Sequence, residues 1–326
     1  MTPPDLSRLT LGERIQDPLL VLEYQQRESA RGGYVRMTLG NASGRLPAEP
    51  FWSERLDEVA GIRAGDVVQV IATVGEYDGS KQLKVSSIRP LPRSLVNWTD
   101  LLPSVGNVTP YWNKVDQWRA DMKKPRLKAV LALFYDDPDF RTRYEQCPAA
   151  PSGHHAALGG LLQHTVEVAH IGRQIAGVAR ADQELVVAGA LLHDIGKLES
   201  YAWDGAFTTT VIGRLHGHFT LGVRMLERRI AEAGALPCTP DELDLLEHFI
   251  LSHHGRLDYG AAVQPMTLEA EILHYADNAS AKSASMADAL RDDALFTGDD
   301  PISTKRLWQL DNRFAYRFSS DWGVAD

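Results

Sequence analysis

The pattern of apolar and polar positions changes its period once along the chain. Between about Ile15 and Leu91, short alternating or β-branched runs are broken by turn residues, which predicts strands rather than helices. The candidate strands are Leu19 to Tyr24, Tyr34 to Leu39, Arg45 to Trp52, Val67 to Val74 and Gln82 to Ile88. Gly40-Asn41-Ala42-Ser43-Gly44 and Tyr77-Asp78-Gly79-Ser80 carry turn chemistry, and Ser53 to Val59 reads as a short helix ahead of the fourth strand. This arrangement is close to an OB-fold, a five-stranded Greek-key barrel often used on oligonucleotides.

Pro90, Pro92, Pro103 and Pro110 punctuate the change, and from about Trp112 the period is helical. The expected organisation is therefore multidomain: a barrel over residues 1–92, a helical linker region over 93–150 and an all-α domain over 151–326. Val130, Leu131 and Phe134 share one helix face, as do Leu161, Thr165, Val168 and Ile175. Between Glu184 and Leu198, the apolar positions Leu185, Ala188, Leu192 and Ile195 predict a buried helix stripe. It ends on His193-Asp194-Ile195-Gly196-Lys197, so a core helix finishes in ionisable groups.

Composition narrows the classes. With 326 residues, 44% of them hydrophobic, the chain can build two or three cores. Its opening MTPPDLSRLT lacks a basic stretch followed by an apolar one, and no run approaches the roughly 18 apolar residues of a membrane span. A cytoplasmic protein without a membrane partner is expected. The net charge of -9 argues against coating nucleic acid through bulk charge. Up to Pro92, 11 Lys and Arg face 12 Asp and Glu, which leaves -8 of the -9 to the helical part. Cys147 and Cys238 stand alone, so a metal here must use His and carboxylates.

All eleven His residues lie after residue 150. A lone His193 would read as a hydrogen-bonded core residue, but the adjacent Asp194 is costly to bury unless paired or metal-bound. Lys197, four residues after His193 and three after Asp194, offers a salt-bridge network as the structural alternative. His164, His218, the pair His253-His254 and Asp277 each fall on a predicted helix or its end. Such ligands suit Mn, Fe, Zn or Mg, and a carboxylate such as Asp194 can bridge two ions that clamp the attacking and leaving oxygens of a phosphoryl displacement.

The order H, HD, H, HH and D resembles the HD phosphohydrolase superfamily. The runs PSGHHAALGGLLQHT (151–165), AGALLHDIGKLE (188–199), SHHGRLDYGAAVQP (252–265) and EAEILHYADNASAK (269–282) are similar to the YhaM-type 3'-to-5' exoribonucleases, which place an OB-fold before the HD domain. Gly65-Asp66-Val67-Val68 and the run YDGSKQL (77–83) extend the resemblance into the barrel. Gln163 stands where a Glu is expected, Ser280 where an acidic residue is expected, and the Asn41-Ala42-Ser43-Gly44 turn replaces an Asp-x-Thr-Gly type.

The resemblance implies two divalent ions, with Mn as first choice and Fe, Mg or Zn as alternatives. His164, His193, Asp194 and Asp277 would hold one, and Asp194, His218 and His253 the other. Because neighbours on a helix point about 100° apart, His254 is expected to contact phosphate beside a ligating His253. Asp194, Lys197 and His254 are the expected catalytic groups, with Lys197 stabilising charge on the phosphate. His154 and His155 would meet an incoming phosphate chain, while His170, His216, His248 and His274 read as structural or surface residues. In the barrel, Tyr34, Phe51, Trp52 and Tyr77 offer stacking faces, with Arg36, Arg45, Lys81 and Lys84 near the backbone.

The implied activity is hydrolysis of single-stranded RNA, and of single-stranded DNA as a second polymer, to nucleoside 5'-monophosphates from the 3' end. Further copies of the chain are a second expected partner. The rival readings are an HD-type nucleotide or cyclic-nucleotide phosphohydrolase with a regulatory barrel, and a nucleic-acid-binding protein with a structural metal site.

Overall fold

A computed structural model describes residues 3–29, 32–77, 79–153 and 155–318. His154 and Asp78, the latter within the expected turn before Ser80, lie outside the described residues. The chain forms two compact units, Met1–Ser104 with Trp203–Phe207, and Val105–Ala202 with Thr208–Asp326.

The first unit is an antiparallel sheet of β1 (Arg14–Ser29), β2 (Gly32–Asn41), β3 (Gly44–Pro47), β4 (Phe51–Trp52), β5 (Val67–Tyr77) and β6 (Ser80–Pro90), in the order β3-β2-β1-β5-β6 with β4 paired to β2. Period-2 patterning sets the register. Val68, Val70, Ala72 and Val74 of β5 are buried, with Leu83, Val85 and Ile88 of β6 inside the same cluster. The predicted third strand is two pieces, β3 and β4, because the segment between them turns toward the far edge. There Ala48 makes a parallel bridge to Leu83, and Glu49 N–H donates to the Leu83 carbonyl at 2.9 Å. Among the described residues no continuous ladder joins the sheet edges β3 and β6, and Ala48–Leu83 is an isolated bridge. Ser53–Val59 is a 3-10 helix. The unit runs past Pro92 into the short helix α1 (Trp98–Leu101), where Leu101 and Leu102 are buried and Ala42 N–H donates to the Asp100 carbonyl at 3.1 Å.

The second unit is helical: α2 (Thr109–Asp121), α3 (Pro125–Tyr135), α4 (Pro138–Tyr144), α5 (Gly160–Ala179), α6 (Gln183–Leu192), α7 (Lys197–Ser200), α8 (Val211–Glu232), α9 (Pro240–Ser252) and α10 (Leu268–Arg291). A two-stranded hairpin, β7 (Tyr201–Ala202) and β8 (Thr208–Thr209), interrupts it. The predicted single stripe on α6 is instead burial all round. Val186 to Leu192 are buried without exception, since α5, α9, α10 and α3 each pack against this helix. No helix among the described residues is long and apolar enough to cross a membrane.

Candidate metal centre

Two helix ends build the centre. α6 stops at Leu192 and α9 at Ser252, so His193 and His253 are the capping residues. The last carbonyls of a helix have no partner within it. His193 Nδ1 takes the Ala190 carbonyl at 2.7 Å, and His253 Nδ1 takes that of Ile250 at 2.9 Å. A carbonyl can only accept, so Nδ1 carries the proton and Nε2 keeps its lone pair. His164, on α5, reaches the same tautomer through Ser280 Oγ at 3.0 Å. His218 follows Gly217, whose φ of 70° kinks α8 at this point. A Cβ on Gly196 would lie 2.0 Å from the His218 carbonyl, so α8 can approach the His193-Asp194 turn only because residue 196 is glycine.

These lone pairs face carboxylates. His164 Nε2 is 3.1 Å from Asp277 Oδ1, 3.5 Å from Asp194 Oδ2 and 3.4 Å from His193 Nε2. His193 Nε2 lies 3.1 Å from Asp194 Oδ2. On the other side, Asp194 Oδ1 is 3.5 Å from His218 Nε2 and 3.6 Å from His253 Nε2. These three atoms are buried without a hydrogen-bond partner. A cluster of buried acceptors aimed at one another is repulsive unless a cation lies among them, so the residues fit divalent metal. Three groups could each hold an ion, with ligand atoms within 4.8 Å: His164, His193 and Asp277; His193, Asp194 and His253; His218, His253 and His254.

Protonation matches. Burial pushes the His218 imidazolium down to about 3, and it lowers His164 despite the opposing pull of Asp277. Burial, then the neighbouring His254 and His193, hold His253 well below its usual value. Burial opposes ionisation of Asp194, but His193 and Lys197 hold it well below the usual carboxylate range, and His164 does the same for Asp277 against burial. His193 alone among these imidazoles is raised, since Asp194 outweighs its burial. Ionised carboxylates and mostly neutral imidazoles are the forms that ligate.

Other expectations fare differently. Lys197 is buried with Nζ 2.6 Å from Asp194 Oδ2, so it forms the pairing considered as its structural alternative. His254 is not on a helix, because α9 ends two residues earlier. Its Nδ1 is tied to the Tyr259 carbonyl at 2.8 Å, and its ring centroid lies 5.3 Å from that of His218 and 4.6 Å from that of His253. The two rings therefore do not diverge as neighbours within a helix would, and both lie against His218. His155, in the left-handed region at φ 52°, lies beside His164 with Nε2 3.1 Å from Glu167 Oε2. Glu167, which the sequence reading did not single out, is also reached by Ser280 Oγ and Gln163 Nε2 at 2.8 and 2.9 Å. His274, expected to be structural, takes the His253 carbonyl through Nδ1 at 3.0 Å and steadies that ligand's backbone.

In the sheet unit, Tyr34 and Trp52 are register partners whose rings lie 4.8 Å apart, both half-buried. Arg36, two residues on, shares their face and is exposed. Phe51 is wholly buried in the core and offers no stacking face, which corrects that expectation: its neighbour Trp52 takes the outer side of the pleat. Tyr77 is exposed at the end of β5, and Lys81 Nζ is bound to the Leu9 carbonyl at 2.6 Å.

A buried His and Asp cluster at the ends of packed helices defines an HD-domain protein, and residues 161–282 match the HD domain family. Over nearly the whole length the chain is similar to curated proteins called 3'-5' exoribonuclease YhaM. The Bacillus subtilis and Bacillus velezensis proteins are each 30% identical over 94% of this chain and 96% of theirs, and that of Oceanobacillus iheyensis is 28% identical over 94% and 95%. The chain belongs to the YhaM family, and like other HD-domain proteins of this kind it is a hydrolase.

Proposed function

We propose that this protein is a metal-dependent 3'-to-5' exoribonuclease that hydrolyses single-stranded RNA to nucleoside 5'-monophosphates. One observation carries the reading. The two oxygens of Asp194 face different imidazole groups, Oδ2 toward His164 and His193 and Oδ1 toward His218 and His253, which is the disposition of a bridging carboxylate. The name of the relatives, 3'-5' exoribonuclease, supplies the polymer and the direction. His164, His193, Asp194 and Asp277 would hold one divalent ion; His218, His253 and Asp194, with His254 beside them, would hold a second. Manganese is the first choice. When bound, the ions supply an activated water and neutralise charge on the scissile phosphate and the leaving 3'-oxygen.

The chain's own residues orient the rest. Lys197 fixes Asp194 Oδ2 and keeps the carboxylate ionised. His254, half-exposed and pinned through Nδ1 to the Tyr259 carbonyl, leaves Nε2 to join His218 and His253 in holding the second ion. The sheet unit is assigned as an OB-type module that takes the strand on the face of Tyr34, Trp52 and Arg36. Its near-neutral charge favours stacking over phosphate neutralisation as the source of affinity.

The test is Mn-loaded protein on RNA of mixed sequence, labelled at the 5' end. A ladder shortening from the 3' end with release of 5'-monophosphates is expected. Turnover confined to mononucleotides or cyclic nucleotides would replace this reading with that of a nucleotide phosphohydrolase.

A further inference from the structure

Gln163 and Ser280, at positions where the resemblance implies acidic residues, meet at one carboxylate. Glu167 lies one turn beyond His164 on α5, four residues after Gln163. Gln163 Nε2 donates to its Oε1 at 2.9 Å, Ser280 Oγ donates to its Oε2 at 2.8 Å, and His155 Nε2 lies 3.1 Å from the same Oε2. The Ser280 hydroxyl has one proton, and Glu167, ionised, can only accept it. The Ser280 oxygen is then left as the acceptor for His164 Nδ1–H at 3.0 Å. The direction of the chain of bonds is thus fixed from Glu167 inward, and it leaves the lone pair of His164 on Nε2, facing Asp277 and Asp194.

We infer that Glu167 is a positioning residue for the metal centre, acting through the Ser280 hydroxyl to set the tautomer and orientation of His164, and holding His155 beside it. This inference rests on the metal-dependent reading above. It also gives a physical reason for a neutral donor at both positions. A Glu at 163 would place a second carboxylate on the same helix face, and an acidic residue at 280 would place one against Oε2; like charges so close are destabilising. With a neutral donor at both positions, one carboxylate receives three donors, and the charge that supports His164 stands one hydroxyl further out. A carboxylate that orients a metal-ligating imidazole raises its basicity, and losing it typically costs about 10- to 100-fold in metal affinity.

The test is calorimetric titration of the metal-stripped full-length protein with Mn²⁺, alongside thermal melting. Glu167→Gln, nearly isosteric, is expected to weaken Mn²⁺ binding about tenfold with little change in the metal-free melting temperature. Glu167→Gln combined with Ser280→Asp moves the carboxylate into direct contact with His164 Nδ1 and is expected to restore affinity to within about threefold of wild type, on the same scale. Wild-type affinity in Glu167→Gln overturns the inference, and so does a double variant no better than the single one. Failure of the unsubstituted protein to take up Mn²⁺ is a different result: it removes the metal-dependent reading itself, and the role of Glu167 falls with it.

Discussion

Lys197 Nζ and Asp194 Oδ2 form a buried contact of 2.6 Å, and this pair decides which way the central carboxylate faces. With Oδ2 held by an ammonium and turned toward His193, Oδ1 is left without a donor and points at His218 and His253. One carboxylate is thereby shared between two imidazole groups.

Removing Asp194 therefore does two separable things. Asp194→Ala is expected to abolish turnover and metal uptake, and also to destabilise the helical unit by about 3–5 kcal/mol, because Lys197 is left charged and buried. Adding Lys197→Met should recover most of the melting temperature and none of the metal. A double variant that melts as low as the single one would show that the pair is not the source of the loss.

His253 and His254 converge on His218, so their variants are expected to resemble each other. His253→Ala and His254→Ala should each lower bound Mn from two ions toward one, by elemental analysis, with the His164, His193 and Asp277 group still loaded. Retention of both ions in His254→Ala, with turnover lost, would assign that ring to the phosphate instead.

On the sheet, Tyr34→Ala with Trp52→Ala should raise KM for long single-stranded RNA about tenfold or more, since stacking on an aromatic ring is worth about 1–3 kcal/mol per base. The kcat on a dinucleotide should not change, because contacts remote from the reacting phosphate give mostly uniform binding. Equal losses on both substrates would mean that the face supports the fold instead of the strand.

Acid stability depends on a pair away from the centre. Arg141 holds Asp116 by two bonds of 2.8 and 2.9 Å and covers the Trp112 ring at 4.0 Å. The Arg141 hydrogen bond holds the Asp116 carboxyl below its ordinary 3.8, against the opposing effect of burial. A depressed carboxyl contributes stability that is present above its unfolded value and lost as pH falls through the folded one. Urea unfolding of Asp116→Asn should therefore fall below wild type near neutrality and converge with it as pH falls below the ordinary carboxylate range. A constant gap between the two across that range would place the contribution in packing over Trp112.

The sequence by itself determined the change from period 2 to period 3.6, the chain segments of most strands, and the order H, HD, H, HH and D. These are local properties: side-chain alternation follows from the pleat, and a His-Asp step ending an apolar run can be read one residue at a time. It also determined that any metal would be held without thiolate. What only the tertiary structure decided was direction. Whether His253 and His254 diverge depends on α9 stopping at Ser252, a boundary set by packing and not by propensity. Phe51 and Trp52 differ only in which side of β4 each occupies, and the split of β3 from β4 shifts that parity. Glu167, at a helix position where a solvated carboxylate is the ordinary reading, matters because α10 brings Ser280 and the 155 loop brings His155 to it across more than 100 and about a dozen residues of chain, respectively. Partners that distant leave no period in the sequence, because a hydrogen bond depends on where two helices cross, which is fixed by the core between them.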